Sequence, residues 1–222
     1  MLSQMTTEKT GISSKFIKSS NFIDHLYQSR INIIKYLELE GYDTSLFNKF
    51  TFNDIHTMTN MKQLDMIVEK PNKKMLVKYH LENTLRNNIL YEYIEEFYNV
   101  DKELTKDDDF VIVIYDKPND TLIQLLKYIW EQENIFITIF SVKYTLFNIL
   151  EHSMVPQHRK LNTNEKKEVM KKYNINSDSE IPEISRFDPV ANILFLRPGD
   201  LCEITRYNKT SIENKFYRVC IT

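Results

Sequence analysis

The sequence predicts an α+β protein built in two parts. A three-layer α/β domain is expected over residues 21–150 and a smaller α+β domain over 151–222, with a loose polar segment, residues 1–20, in front. Three observations lead there. Two apolar runs, Phe110–Tyr115 and Ile135–Phe140, bracket an amphipathic helical stretch, the pattern of a β–α–β unit crossing right-handed within a mixed sheet. The last third follows a different grammar: three of the six prolines and one of only three glycines fall within Ile181–Arg206. At 222 residues the chain is long enough to bury two cores.

Taken in order, the first periodic segment follows Asn21, a capping residue type. Phe22, Leu26, Ile33, Ile34 and Leu37 keep a helical stripe, and Gly41 stands where a left-handed C-terminal cap belongs. Leu46–Asn60 reads as a weaker helical or irregular piece. Leu64–Glu69 and Met75–His80 then read as two strands of a hairpin, joined through Lys70-Pro71-Asn72-Lys73-Lys74 with its basic tip. Leu85, Ile89, Tyr93, Ile94 and Phe97 mark an amphipathic helix ending near Asn99, and Asp101–Asp109 is an acidic connector. The strand Phe110–Tyr115, the turn Asp116–Asp120, a helix carrying Leu122, Leu126 and Ile129, and the strand from Ile135 complete the first part. Thr145–His152 is expected to be a helical link.

In the last third, Thr163 is the expected cap of a helix reaching about Tyr173, with Glu165 in its first turn. Ile181-Pro182 is extended, because proline biases the residue before it away from helix. Asp188-Pro189 opens a short helix, Val190–Phe195: the carboxylate accepts from free N–H groups, and proline at the first helical position loses no bond. Pro198-Gly199 suits a type II turn. Leu201–Tyr207 leaves that turn as a strand and pairs with Phe216–Ile221.

Composition narrows the function classes. Net charge is −2, with 17 Lys and Arg against 21 Asp and Glu through Leu150 and 12 against 10 after it, so neither part coats nucleic acid by charge alone. The opening MLSQMTTEKTGISSK has no apolar middle region, no apolar run approaches the ~20 residues of a membrane helix, and an intracellular setting is expected. Cys202 and Cys220 lack a metal-ligand spacing and read as reduced core thiols. The shortage of alanine, with Ala191 alone, and the abundance of Ile, Asn and Lys suggest an AT-rich genome.

Catalytic chemistry is poorly supplied. Asp65 on one strand and Lys78 on the next suit a metal-dependent nuclease, but such a site needs a second acid two residues before the lysine, and Leu76 stands there; Glu82 has no spacing rule to bring it in. His152 and His158 flank Pro156 without further ligands nearby. No glycine-rich phosphate loop or nucleophile elbow is written. No metal or cofactor is expected. Lys73 and Lys74 form a small basic patch, and Lys117, Pro118 and Asn119 form an exposed loop after a buried strand, where α/β proteins often bind ligands.

The order of the C-terminal pieces is specific. His152-Ser153-Met154-Val155-Pro156-Gln157-His158, then Leu161, Glu165-Lys166, Tyr173, Ile181-Pro182-Glu183-Ile184, Asp188-Pro189-Val190-Ala191, Leu196-Arg197-Pro198-Gly199-Asp200, Ile204-Thr205-Arg206 and Tyr217-Arg218-Val219 together resemble the assembly domain of the fifth subunit of eukaryotic-type DNA-dependent RNA polymerases, a family with archaeal members. The resemblance implies a non-catalytic subunit, present once in a hetero-oligomer, whose C-terminal domain docks on the largest polymerase subunit among the other subunits. Its N-terminal domain would be a jaw of inactive nuclease-like fold beside downstream duplex DNA, touched weakly and without sequence preference. The resemblance is fainter over residues 21–150, where DFVIVIYDKPNDTLIQLLK carries it and implies that Lys117, Pro118 and Asn119 lie near DNA, with Lys73 and Lys74 as further candidates. At the assembly interface it implies His152, Pro156, His158, Arg186, Asp188, Pro189, Arg197, Pro198, Gly199 and Arg206, the arginines as partners for carboxylates or backbone. Glu183 replaces a usually basic residue, and Asn208–Asn214 lacks the usual Ser-Glu-Thr-Ala-Gly. These departures suggest a large DNA virus as source, which places the protein in the virion and host cytoplasm; a cellular version belongs in the nucleus.

Overall fold

The computed structural model describes residues 20–71, 73–81, 84–210 and 212–222, so the expected loose segment lies outside the described residues apart from Ser20. The chain is α+β with two mixed four-stranded sheets. It divides into two compact units: the described residues through Ile31 with Asp43–Leu146, and Asn32–Tyr42 with Phe147–Thr222. The first helix, α1 (Ser20–Leu39), contributes to both. It ends as its sequence predicts: Gly41 has φ +82°, and the Tyr42 N–H donates to the Leu37 carbonyl.

The first unit is organised by strands β1 (Met66–Lys70), β2 (Lys73–His80), β3 (Asp109–Ile114) and β4 (Phe136–Ser141), in that order across the sheet. β1 and β2 are antiparallel, and β2, β3 and β4 are parallel. β3 and β4 are buried along their whole length, as unbroken apolar runs in parallel strands should be; β1 sits at an edge, burying Met66 and Val68 while Ile67 and Glu69 face water. Helix α2 (Phe52–Met61) begins later than its sequence suggests, because Thr51 and Asp54 form a reciprocal capping box. Helix α3 (Asn87–Ile94) continues as a π-helical turn, Glu95–Val100, and α4 (Asp120–Glu133) is capped by Asn119, whose side-chain oxygen accepts from the Leu122 N–H at 2.8 Å.

β1 starts two residues after the expected position, and this removes Asp65 from the strand. The cause is local. Asp65 Oδ1 accepts the Tyr79 N–H at 2.8 Å, so a side chain stands in for a ladder carbonyl. The expected helical link after β4 consists instead of two short 3₁₀ turns, Val142–Tyr144 and Ile149–Glu151, the second capped by Asn148.

The second unit holds β5 (Gln157–Lys160), β6 (Glu183–Ser185), β7 (Leu201–Arg206) and β8 (Asn214–Ile221), ordered β5-β7-β8-β6. β7 is antiparallel to both its neighbours, and β8 runs parallel to β6. Alternation along the two central strands feeds two clusters: Cys202, Ile204 and Cys220 pack with Ile184, Val190, Ala191, Leu194 and Leu196, whereas Leu201 and Val219 pack with Leu161 and Ile181. Helix α5 (Thr163–Lys172) is capped one residue earlier than expected. Asn162 Oδ1 accepts from the N–H groups of Asn164 and Glu165, and Glu165 returns a bond to the Asn162 N–H at 2.9 Å. Helix α6 (Pro189–Ile193) is shorter than predicted because Phe195 adopts φ +46°, which lets the Leu196 N–H reach the Ala191 carbonyl and closes the helix.

Candidate functional site

In the first unit the loop Lys117–Asn119 follows β3 at the carboxyl end of the parallel strands, the location where open α/β sheets present ligand-binding loops. Lys117 and Asn119 are exposed and Pro118 is half-buried. The loop is anchored on both sides: Asn119 caps α4, and the Asp116 carboxylate pairs with Lys143 Nζ at 2.5 Å, just beyond β4. Lys143 also stands 5.1 Å from the Tyr115 ring, and its pKa is raised, chiefly by the bond to Asp116. Among the described residues Lys117 has no carboxylate in ion-pair reach, so its charge is available to a partner.

Lys73 and Lys74 lie elsewhere. They begin β2, at the opposite end of the sheet from Lys117, separated by the length of β3, roughly 20 Å for six residues. Lys73 pairs with Asp109 at 2.5 Å and Lys74 with Glu69 at 2.8 Å. The two groups of basic residues are therefore not brought together. Asp65 and Lys78 are brought together, but as partners: Asp65 Oδ2 and Lys78 Nζ are 2.7 Å apart, and Lys78 rests 5.7 Å from the Tyr93 ring and 5.6 Å from the Phe97 ring. Among the described residues no group of three or more His, Cys, Asp or Glu side chains is placed to share a metal ion, and no helix is long and apolar enough to cross a membrane.

In the second unit the sequence-predicted residues are spread over several local caps and turns. Asp188 caps α6, its Oδ1 accepting from the Val190 N–H at 2.9 Å. The Pro198-Gly199 turn closes through the Asp200 N–H and Arg197 carbonyl at 2.9 Å, with Gly199 at φ +92°. That turn is stitched to β8: the Gly199 N–H donates to the Cys220 carbonyl, and the Cys220 N–H donates to the Asp200 carbonyl. Asp200 accepts the Arg197 N–H and pairs with Lys160 at 2.7 Å, while Lys166 reaches both Asp178 and the Gly199 carbonyl. Arg186 is 4% exposed, and burial drives its pKa down to about 10. Arg197 is half-buried and Arg206 is exposed. His158 donates from Nδ1 to the Pro156 carbonyl at 2.6 Å, and exposed His152 accepts from the Met154 N–H at 3.2 Å. Both cysteines are free and buried.

One cluster escaped the sequence reading. Glu203, in the middle of β7, accepts from Arg159 on β5 at 3.3 Å and from Lys215 and Tyr217 on β8 at 3.3 and 3.2 Å. Its carboxylate thus ties three strands together. Burial acts to raise its pKa, but the bonds from Lys215 and Tyr217 and the charges of Lys215 and Arg159 hold it below the ordinary value. Tyr217 is pushed up to about 12, by burial first and the bond to Glu203 second. An acid within the otherwise buried run Leu-Cys-Glu-Ile was the available signal.

Comparison with known proteins agrees with this unit. The family model described as RNA polymerase Rpb5, C-terminal domain, matches residues 147–220. The chain is similar to proteins named DNA-directed RNA polymerase subunit Rpo5 from three archaea. The Thermococcus kodakarensis protein is 41% identical over 75 residues, 34% of this chain and 90% of the relative. That of Pyrococcus abyssi is 40% identical over the same extent, and that of Aeropyrum pernix is 44% identical over 73 residues, 33% of this chain and 80% of the relative.

Proposed function

The chain belongs to the family of the fifth subunit of eukaryotic-type DNA-directed RNA polymerases, and on that premise we propose that it is a non-catalytic accessory subunit of a multisubunit polymerase. The observation that carries this reading is that about a third of the chain corresponds to nearly the whole of relatives that are themselves polymerase subunits. The second unit docks on the largest subunit and helps hold the assembly together. The first is a jaw of nuclease-like, inactive three-layer fold along downstream duplex DNA, present once per enzyme. The pairing of Asp65 with Lys78 supports inactivity, since each already neutralises the other. Free Lys117 supports a backbone contact that is weak alone and adds to those of other subunits. The skewed composition supports a virus-encoded member.

The test is affinity capture of the tagged full-length chain from the cells in which it is naturally made. The two large catalytic subunits should come with it in equal amount, and the purified chain alone should neither cleave duplex DNA with magnesium or manganese nor bind it at moderate salt. Cleavage abolished by Asp65→Ala would instead make the protein a nuclease. Tight binding to DNA by the isolated chain would make it a free-standing regulator.

A further inference from the structure

The register of the second sheet gathers three strand ends at one place. Gln157 pairs with Thr205 and Arg206 with Asn214, so the start of β5, the end of β7 and the start of β8 share one end of the sheet. Among the described residues seven large apolar side chains are exposed in this unit, and four of them flank these strand ends along the chain: Met154 three residues before β5, Tyr207 just after β7, Ile212 two residues before β8 and Phe216 within β8, at 82%, 72%, 86% and 44% exposure. Met154, Tyr207 and Ile212 are so open that they contribute almost nothing to the unit's own core, and apolar side chains left exposed beside neighbouring strand ends mark an interaction surface. Cations accompany them. Arg206 lies 5.0 Å from the Phe216 ring, and among the described residues neither Arg206 nor Lys209 has a carboxylate in ion-pair reach; Glu213, exposed in the same loop, pairs with neither. Lys215, by contrast, is engaged by Glu203.

We propose that this end of the sheet is the docking face for an acidic, apolar-anchored polypeptide segment of another polymerase subunit. The proposal rests on the assembly reading above and specifies its surface and the chemistry of its partner. Tyr207 and Ile212 supply the anchors that a partner's apolar residues cover, and Arg206 and Lys209 select carboxylates beside them. Nucleic acid would use the cations and the aromatic rings but gains nothing from Met154 and Ile212. A second copy of this chain fits less well, because a two-fold contact centred here would set the unpaired cations of one copy against those of the other.

The test uses the full chain co-expressed with the other polymerase subunits, and reads retention after washing together with thermal unfolding of the free chain. Tyr207→Ser with Ile212→Ser should reduce retention about tenfold or more at unchanged unfolding temperature. Arg206→Glu with Lys209→Glu should also reduce it and abolish the salt sensitivity of the wild type. Tyr173→Ser, at a partly exposed aromatic elsewhere in the unit whose ring packs on Tyr217 at 5.6 Å, should leave retention unchanged even if it lowers the unfolding temperature. Ile212→Ser alone, at a side chain 86% exposed, guards against misfolding of the double variant. Folded variants retained as well as wild type would overturn this docking face and leave the assembly reading standing. A wild-type chain that joins no subunit would overturn both. Loss of self-association, or of DNA binding alone, in the double variant would assign the face to a different occupant and equally overturn the proposal.

Discussion

Replacing Glu203 by glutamine keeps the shape of the side chain and removes its charge from the centre of the second sheet. The magnitude follows from exposure. The carboxylate is 9% exposed, but its cationic partners Arg159 and Lys215 are 51% and 48% exposed, so neither is stranded when the charge is lost. Each half-exposed pairing is worth roughly 0.2–1 kcal/mol, and Tyr217 can still donate to the amide oxygen through a weaker neutral bond. The expected loss is about 1–2 kcal/mol, short of the roughly 3–5 kcal/mol that follows when a buried charge is left without its counter-ion. Because Glu203 titrates below its ordinary 4.5 in the folded state, its contribution is fully present above that value and disappears as pH falls through the folded pKa. Glutamine does not titrate, so the gap between wild type and variant should be open at neutral pH and close in acid. Hydrogen exchange of Gln157–Lys160 and Leu201–Arg206 reads this locally, which matters in a chain of two units that need not unfold together. A gap that persists unchanged in acid, or one well above about 3 kcal/mol at neutral pH, would refute the view of a screened three-strand tie.

Three further outcomes are expected. Gly199→Ala should destabilise the second unit by about 1–2 kcal/mol in thermal unfolding: an added Cβ meets no atom within 4 Å, so the cost is the left-handed backbone alone, and an unchanged melting temperature would mean the turn relaxes. Burial pushes the Cys202 thiol up to about 11 and the Cys220 thiol up to about 12, so a disulfide reagent at mildly alkaline pH should label neither until the unit unfolds; prompt labelling of the native chain would contradict their placement. In the assembled polymerase, Lys117→Glu should weaken cross-linking to downstream DNA and lower its salt dependence by about one ion, with subunit association unchanged. Equal cross-linking in the variant would remove that loop from the DNA path.

Much of the fold was legible because the chain states it in local terms. The two apolar runs became β3 and β4, and Asp188-Pro189 and Pro198-Gly199 became the cap and turn that their chemistry prescribes. The misses share a cause: the deciding partner is remote or atypical. The start of β1 depends on a carboxylate–amide bond between Asp65 and Tyr79, and α6 stops because Phe195, a residue with no special preference for positive φ, adopts it. Asn162 and Thr163 are both capping types, and only the spacing to Glu165 separates them. At the candidate sites, sequence identified Lys117 as an exposed cation but could not reveal that Lys73 and Lys74 are already paired at the far end of the sheet. Nor could it show that Tyr207, Ile212 and Phe216 would be left uncovered, since apolar residues flanking a strand ordinarily turn inward.

The membership of α1 has a consequence for how the protein is made. Residues 32–42 leave the ribosome before any of the first sheet has been synthesised, yet the unit they complete awaits a stretch that begins at Phe147. More than a hundred residues emerge between the two stretches that group in one unit, a long-range closure of the kind that slows folding. A gene fragment starting at Phe147 would omit that early segment.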